Sequence, residues 1–225
     1  MDYEILRALN AWAASNSGVS WTFFLFTREV LKNLLPIVLF WGLWFSFDAE
    51  TRQTAREKLV GVLLIGAIAI GVARGLATVL PFRTRPMHDP DAGISIMGWL
   101  NTSLLEEWSA FPSDHAVLFF ALAVGLFQVS KRAGVVALLH AGLIVCLPRV
   151  AVGLHWPSDI AVGILIGIAL SVLLFRPVQA LVHKSGLVPF FEAREAIGYP
   201  LLFLATYELS RMFHSVRQVM QFVWE

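Results

Sequence analysis

An arginine, a histidine and an aspartate follow one another at short spacing between two apolar runs. They are Arg149, His155 and Asp159, and the flanking runs are Val135–Leu147 and Ile160–Phe175. Charged side chains are costly inside a bilayer, so this position needs an explanation. An aspartate can fix which imidazole nitrogen is free to react, and a guanidinium is suited to phosphate oxygens. A helix-end charge cluster at the lipid headgroups is the other interpretation of this stretch.

Two earlier polar stretches contain residues of the same kinds. They contribute two arginines before a proline and a serine–aspartate–histidine run: Arg83, Arg85, Ser113, Asp114 and His115. Each stretch alone is weak evidence, because an Arg-Pro pair often begins a loop and a Pro-Ser-Asp sequence often caps a helix. If the apolar spans alternate in direction, all three stretches lie on one membrane face. That convergence favours chemistry, because a helix cap does not require it.

The combined set is suited to an attack on phosphorus by a histidine. Arg85 and Arg149 can clamp phosphoryl oxygens, and Ser113 with its neighbouring backbone N–H groups adds donors at a helix start. His155 would attack while Asp159 holds it. His115 would protonate the leaving oxygen and then activate water against the phosphohistidine.

The rest of the sequence predicts an all-α, polytopic transmembrane helix bundle of five to six spans. Of its 225 residues, 57% are hydrophobic and only 15% are charged, and the mean hydropathy is +0.70. Several apolar runs approach the ~20 residues that span a bilayer. The net charge of +1 gives no bias towards nucleic acid. We expect one membrane domain over 1–225, with a core at 30–176 and an amphipathic or sixth-span region at 177–225.

The apolar runs place the elements along the chain. A short amphipathic surface helix is predicted at Asp2–Ala14 and a polar loop at Asp48–Lys58. Lys131 and Arg132 are predicted to form a turn, and Ala196–Tyr207 is either a sixth span or a partly embedded helix. The five predicted spans are Val30–Phe47, Leu59–Leu80, Ser113–Val129, Gly134–Leu147 and Pro157–Phe175.

Loop charge predicts the orientation of the bundle. If five spans alternate, one side carries Arg52, Arg56, Lys58, Lys131, Arg132, Arg176 and Lys184. The positive-inside rule places that side in the cytoplasm. The loop Pro81–Phe111 and the stretch Arg149–Asp159 then face outwards.

The three polar stretches resemble the motifs of the type 2 phosphatidic acid phosphatase superfamily of membrane phosphatases. Those motifs are Lys-x6-Arg-Pro, Pro-Ser-Gly-His and Ser-Arg-x5-His-x3-Asp. Here Arg85-Pro86, Pro112–His115 and Arg149–Asp159 are similar to them. The resemblance implies that Arg85, Ser113 and Arg149 bind phosphate and that His115 is the acid/base. It also implies that His155 is the nucleophile, that Asp159 is its partner, and that the reaction uses no metal and no cofactor.

The sequence departs from the family pattern at three positions. Thr78 stands where the family has its lysine, Asp114 replaces a glycine, and Pro148 replaces a serine. Arg83 or Arg74 are the candidates to replace the missing cation. We expect Arg83 and Asp114 to contribute to phosphate binding, with contact to anionic headgroups as the alternative for Arg83.

The Phe-Pro-Ser-Asp-His sequence and the start Met-Asp-Tyr-Glu-Ile-Leu are similar to the bacitracin-resistance branch, the undecaprenyl-diphosphate phosphatases. That resemblance implies removal of the terminal phosphate of undecaprenyl diphosphate, a cell-wall lipid carrier, on the outer face of a bacterial inner membrane. Polyprenyl diphosphate and membrane lipids are the implied partners. Glu106 and Glu107 could bind a divalent ion, but a solvated loop pair is the simpler interpretation.

Several alternatives remain open from the sequence. The substrate could be phosphatidylglycerophosphate, phosphatidate or the phosphate of a lipid A, or the enzyme could be a lipid phosphotransferase. A transporter or an antibiotic-binding resistance protein is the non-enzyme alternative. A transporter more often has matching halves or paired broken helices, and neither is visible. A binder would not need Asp159 beside His155.

Overall fold

The computed structural model describes residues 1–103 and 105–213, and every regular element in that part is helical. A π-helical segment, Ala141–Cys146, joins the sixth α-helix to the seventh. The α-helices are α1 Asp2–Ser15, α2 Ser17–Thr27, α3 Glu29–Ser46, α4 Arg52–Val79, α5 Asp114–Val129, α6 Lys131–His140, α7 Leu147–Ala151, α8 Pro157–Ser185, α9 Leu187–Ala193 and α10 Glu195–Ser210. The predicted all-α bundle is confirmed.

Three helical stretches are long and apolar enough to cross a membrane: Arg52–Val79, Lys131–Ala151 and Pro157–Ser185. Two shorter apolar helices, Leu31–Ser46 and Asp114–Val129, accompany them. Together they coincide with the five predicted spans. The protein is therefore a multi-pass membrane protein. α10 covers the predicted Ala196–Tyr207 segment but has only 16 residues.

Helix α5 lies at the centre of the bundle, in contact with α4, α6 and α8. Two glycines of α8 allow its backbone to approach α5 closely. A Cβ atom on Gly163 would lie 2.8 Å from the Ser113 carbonyl oxygen, and one on Gly167 would lie 2.4 Å from the Val117 carbonyl oxygen. Such small residues let helix backbones meet in membranes. The contact fixes the first turn of α5 against the second and third turns of α8.

The polar loop predicted at Asp48–Lys58 is wrong in its second half, because α4 begins inside it. The charges there are paired with distant partners. Arg56 lies 2.7 Å from Glu192, and the Glu57 carboxylate lies 3.0 Å from His183 Nδ1. Both Arg56 and Glu57 are buried. Paired charges tolerate burial, so the helix extends through residues that alone indicate a loop.

Other helix ends also differ from the prediction. Lys131 begins α6 after a Ser130 cap, where a turn was expected. α8 continues from the predicted end at Phe175 to Ser185 and ends at Gly186, whose φ of +65° favours glycine. The short helix α2 was not predicted.

Candidate active site

One end of the bundle brings together the loop after α4, the start of α5 and the loop between α7 and α8. Arg85 Nη1 lies 3.3 Å from His155 Nε2. The Ser113 backbone N–H donates to the Asp159 carbonyl at 3.2 Å. The structure therefore joins the three polar stretches that the sequence analysis singled out.

His155 is buried, and its hydrogen bonds define which ring nitrogen is free. Nδ1 lies 2.9 Å from the Ala110 carbonyl oxygen, and a carbonyl can only accept, so Nδ1 carries the hydrogen. In the neutral ring, Nε2 then carries the lone pair and faces the Arg85 guanidinium. Burial lowers the pKa of His155 below its ordinary value, and the Asp159 carboxylate partly opposes that shift. The lowered pKa favours the neutral ring, which the predicted role of nucleophile requires.

Asp159 lies next to His155, but it does not form the hydrogen bond to the imidazole that the sequence led us to expect. Its Oδ2 lies 3.7 Å from His155 Nδ1, beyond hydrogen-bonding distance. The same oxygen accepts the Trp156 N–H at 2.8 Å and caps α8, which begins at Pro157 as predicted. The Ala110 carbonyl fixes the imidazole, and Asp159 contributes a nearby charge and the geometry of the helix start.

Arg83 is hydrogen-bonded to Asp159 and does not lie at the predicted phosphate position. Its Nη1 donates to Asp159 Oδ1 at 2.6 Å and to Ser158 Oγ at 2.8 Å, and its Nη2 donates to Asp2 Oδ2 at 2.8 Å. Its guanidinium also stands 5.5 Å from the centre of the Trp156 ring. These contacts favour a structural role for Arg83 over phosphate binding.

Arg85 is positioned for an anion. Its Nη1 donates to the Leu154 carbonyl at 2.8 Å, and its Nη2 donates to the Ser109 carbonyl at 3.3 Å. Within the described residues its buried Nε makes no hydrogen bond. Burial lowers the pKa of Arg85, opposed by Asp114 and Asp159, but arginine remains charged in proteins.

His115 pairs with the preceding residue. Its Nδ1 lies 2.9 Å from Asp114 Oδ1, so the carboxylate orients the ring and leaves Nε2 for proton transfer. The other carboxylate oxygen of Asp114 lies 3.4 Å from Arg74 Nη2. An ionised carboxylate only accepts hydrogen bonds, so Asp114 is unsuited to the predicted role of phosphate ligand and is placed instead to orient His115.

Ser113 and Arg149 are both buried at helix ends. Ser113 caps α5 by accepting the Ala116 N–H at 3.5 Å, which leaves its hydroxyl hydrogen available. Arg149 Nη1 donates to the Val145 carbonyl at 2.8 Å. The Arg149 carbonyl in turn accepts the backbone N–H groups of Leu154 and His155, at 2.9 and 3.2 Å. The intervening turn includes Gly153, whose φ of +80° is a conformation that other residues rarely adopt.

A cavity of about 400 Å³ opens beside these groups. It combines two arginines, two carboxylates and His155 with an apolar wall. Its lining consists of Ala73, Arg74, Ala77, Thr78, Arg85, Glu107, Trp108, Ser109, Pro112, Asp114 and His155. His115, Ser113 and Arg149 lie outside this lining. Glu106 and Glu107 are exposed, and within residues 1–103 and 105–213 no group of three or more metal-ligating side chains is found.

Helix α1 is hydrogen-bonded to the loops that form the site, and the sequence did not reveal these contacts. Asp2 accepts hydrogen bonds from Ser158, from its backbone N–H at 3.1 Å and from its hydroxyl at 2.5 Å. Arg7 donates to the Ala92 carbonyl at 2.8 Å, and Asn10 donates to the Ala151 carbonyl at 2.9 Å. Burial would raise the pKa of Asp2, but its hydrogen bonds with Ser158 and Arg83 lower it overall. The predicted surface helix is therefore attached to the active-site loops.

Comparison with known proteins agrees with the resemblance found in the sequence motifs. The PAP2 superfamily profile matches residues 57–182, more than half of the chain. The chain is 23% identical over 176 residues to "Undecaprenyl-diphosphatase BcrC" of Bacillus subtilis (strain 168), covering 78% of this chain and 83% of that protein. It is 33% identical over 78 residues to "Bacitracin transport permease protein BcrC" of Bacillus licheniformis, covering 34% of this chain and 38% of that protein. No solved structure gives a significant match.

Proposed function

Because this chain belongs to the PAP2 superfamily and is a membrane phosphatase of that family, we propose that it hydrolyses undecaprenyl diphosphate to undecaprenyl phosphate and phosphate. The observation that carries the proposal is the 3.3 Å contact between Arg85 and the free nitrogen of His155 beside the cavity. An arginine there presents a phosphoryl group to the nucleophile. The Bacillus subtilis relative is named as an undecaprenyl-diphosphatase, which supports this choice of substrate.

In the first step, His155 Nε2 attacks the terminal phosphorus. A nitrogen–phosphorus bond forms while the bond from phosphorus to the bridging oxygen breaks, and the lipid phosphate leaves. Arg85 holds the equatorial oxygens, with Arg149 and the Ser113 hydroxyl as further proposed donors. His115 donates its Nε2 proton to the leaving oxygen, which limits the charge that develops there.

In the second step, water releases the phosphate. His115, now neutral, accepts a proton from water, and the water oxygen attacks the phosphorus of the phosphohistidine. The nitrogen–phosphorus bond breaks, so His155 Nε2 recovers its lone pair and orthophosphate departs. The Ala110 carbonyl keeps the hydrogen on Nδ1 throughout, which returns the ring to its starting form.

We propose that the site faces the outside of a bacterial inner membrane. Loop charge supports this orientation, because the positive-inside rule favours a cytoplasmic position for Lys131 and Arg132. In a Cys146→Ser background, cysteines introduced at Ile94 or Gly98 should react with an impermeant thiol reagent in intact cells. A cysteine at Lys131 should react only after lysis. The reverse pattern would contradict the outward orientation.

The experiment that tests the function is phosphate release by the purified protein in detergent. The substrates are undecaprenyl diphosphate, phosphatidylglycerophosphate, phosphatidate and a lipid A phosphate. We expect the highest kcat/KM for the diphosphate, and acid-labile, alkali-stable label on the protein after brief reaction with terminally labelled substrate. A preference for a monophosphate would overturn the substrate, and transfer of label to another lipid would indicate a phosphotransferase. Absence of release from every substrate would favour the transport or binding alternative.

A further inference from the structure

The phosphate site lacks a cation where its family has a lysine, because Thr78 occupies that position. The Thr78 side chain lines the cavity, but its hydroxyl donates to the Gly75 carbonyl 2.8 Å away in the same helix. A neutral hydroxyl cannot replace the charge. The two candidates, Arg74 and Arg83, have different surroundings in the structure.

Arg83 is already hydrogen-bonded to other groups. Its guanidinium donates to Asp159 and Asp2 at 2.6 and 2.8 Å, and it lies outside the cavity lining. Moving it to a phosphate would leave the buried Asp159 carboxylate unpaired, which is strongly unfavourable.

Arg74 is placed one helical turn before Thr78, on the same face of α4. Its side chain lines the cavity together with Arg85 and His155. The contact of its Nη2 with Asp114 is 3.4 Å long, well beyond the ~2.8 Å of a strong charged hydrogen bond. Its Nε is buried and makes no hydrogen bond within residues 1–103 and 105–213. Arg74 therefore keeps donors that an anion in the cavity can use.

We propose that Arg74 replaces the family lysine and binds the lipid-linked phosphate of a diphosphate substrate, which makes it the residue that selects diphosphates. This inference rests on the proposed hydrolysis. Arg85 contacts the nucleophile His155, whereas Arg74 contacts Asp114, the partner of the acid His115. The two arginines thus serve opposite ends of the bond that breaks. Arg74 also lies on a membrane-spanning helix beside the apolar Ala73 and Ala77, a position that suits the phosphate nearest to the lipid tail.

The test compares Arg74→Ala with the wild-type protein on undecaprenyl diphosphate and on phosphatidate. We expect kcat/KM for the diphosphate to fall by about 10-fold or more, the effect of losing a charged hydrogen bond. The loss on phosphatidate should be at least about 3-fold smaller, because a monophosphate lacks the second phosphate that Arg74 would bind. An equal loss on both substrates would overturn the proposal.

A rescue variant tests the position of the charge. Arg74→Ala combined with Thr78→Lys restores a cation at the family position, so the diphosphate preference should recover at least in part. The matched control is Arg74→Ala with Thr78→Met, which has a chain of similar length without charge and should not recover. Equal behaviour of the two double variants would also contradict the proposal.

Inhibition provides a readout that does not depend on the acid His115. Inorganic pyrophosphate should inhibit Arg74→Ala about 10-fold more weakly than wild type, while inhibition by orthophosphate stays the same. Unchanged inhibition by both anions would assign Arg74 to positioning Asp114 alone. If wild-type protein releases no phosphate from the diphosphate, the proposed function itself fails, and that result is distinct from a working enzyme that is indifferent to Arg74.

Discussion

The two histidine–aspartate pairs of the site are built in opposite ways. His155 and Asp159 are nearly inaccessible, with side chains 5% and 0% exposed, yet their closest atoms are 3.7 Å apart. His115 and Asp114 are 19% and 27% exposed and lie within hydrogen-bonding distance at 2.9 Å. The sequence pattern pairs the first histidine with an aspartate, but the geometry gives the direct contact to the second.

The difference fits the two roles proposed for the histidines. The proposed nucleophile needs a fixed, neutral ring, which burial and the Ala110 carbonyl provide for His155. The proposed acid/base must exchange a proton in each turnover, which requires a fixed orientation and some access, and Asp114 and partial exposure provide these for His115. Asp159 is left to hold Arg83 and the start of α8, so its loss should affect the architecture as much as the chemistry.

Replacing His155, the proposed nucleophile, should have the largest effect. His155→Ala should lower phosphate release by several orders of magnitude and abolish the labelled phosphoenzyme, since no equivalent group remains. His115→Ala should lose about 10²–10⁴-fold on the lipid substrate, whereas the first step alone, followed as the burst of leaving group from an aryl phosphate, should slow much less because that leaving group needs no proton. Both rates are measured on variants whose elution in detergent matches that of the folded wild-type protein. Retention of activity within about tenfold in His155→Ala would remove it from the role of nucleophile.

Substitution of the two aspartates should affect stability and catalysis differently. Asp159→Asn removes the buried carboxylate that pairs with the partly exposed Arg83 and caps α8, so we expect a lower thermal unfolding temperature, with a roughly 10²–10⁴-fold loss of activity. Asp114→Asn should leave the thermal unfolding temperature in detergent nearly unchanged and reduce kcat through His115. If Asp159→Asn unfolds at the wild-type temperature, the assignment of an architectural role is wrong.

Arg83 should have a smaller effect that does not depend on the substrate. Arg83→Ala leaves Asp159 without its cation, so we expect about a 10–100-fold lower kcat/KM on diphosphate and monophosphate alike, the scale of an outer-shell partner. Asp2→Asn, which contacts the other side of the same guanidinium, should show a weaker version of the same pattern. A loss confined to the diphosphate would mean that Arg83 binds phosphate after all.

The smallest effect concerns pH. Burial lowers the pKa of His155, so the neutral form persists in acid and the acidic limb of kcat/KM should lie below the ordinary histidine value of about 6.5. Asp159 favours the charged form, and Asp159→Asn should therefore move that limb to still lower pH. The profile is measured after each preparation is shown to survive the acidic incubation. A limb that moves upwards in the variant would contradict this electrostatic account.

Helix-start and helix-capping residues made parts of the site predictable. Pro157 and Asp159 mark the start of α8, and Ser113 caps α5, as their positions before apolar runs indicated. Motif spacing likewise identified which stretches would meet. These features depend on neighbouring residues, which a sequence displays directly.

Contacts between distant residues were not predictable. Asp2 and Arg83 are 81 positions apart, and nothing in either stretch indicates their pairing. The partner of His155 is a backbone carbonyl, which has no side-chain signature. The true start of α4 depends on Arg56 and Glu57 pairing with residues 136 and 126 positions away, so local charge predicted a loop where tertiary contacts stabilise a helix.

The π-helical segment Ala141–Cys146 makes the position of Arg149 sensitive to chain length. Within it, the Leu147 N–H bonds to the Gly142 carbonyl five residues earlier. A π-turn accommodates one residue more than an α-turn, so deleting one residue here would restore ordinary helix geometry. Because the bulge absorbs the extra residue, the residues before and after it would keep their relative orientation, whereas one further inserted residue would turn them by about 100° relative to Arg149. A one-residue insertion at Leu143 should therefore lower activity far more than a one-residue deletion at the same position.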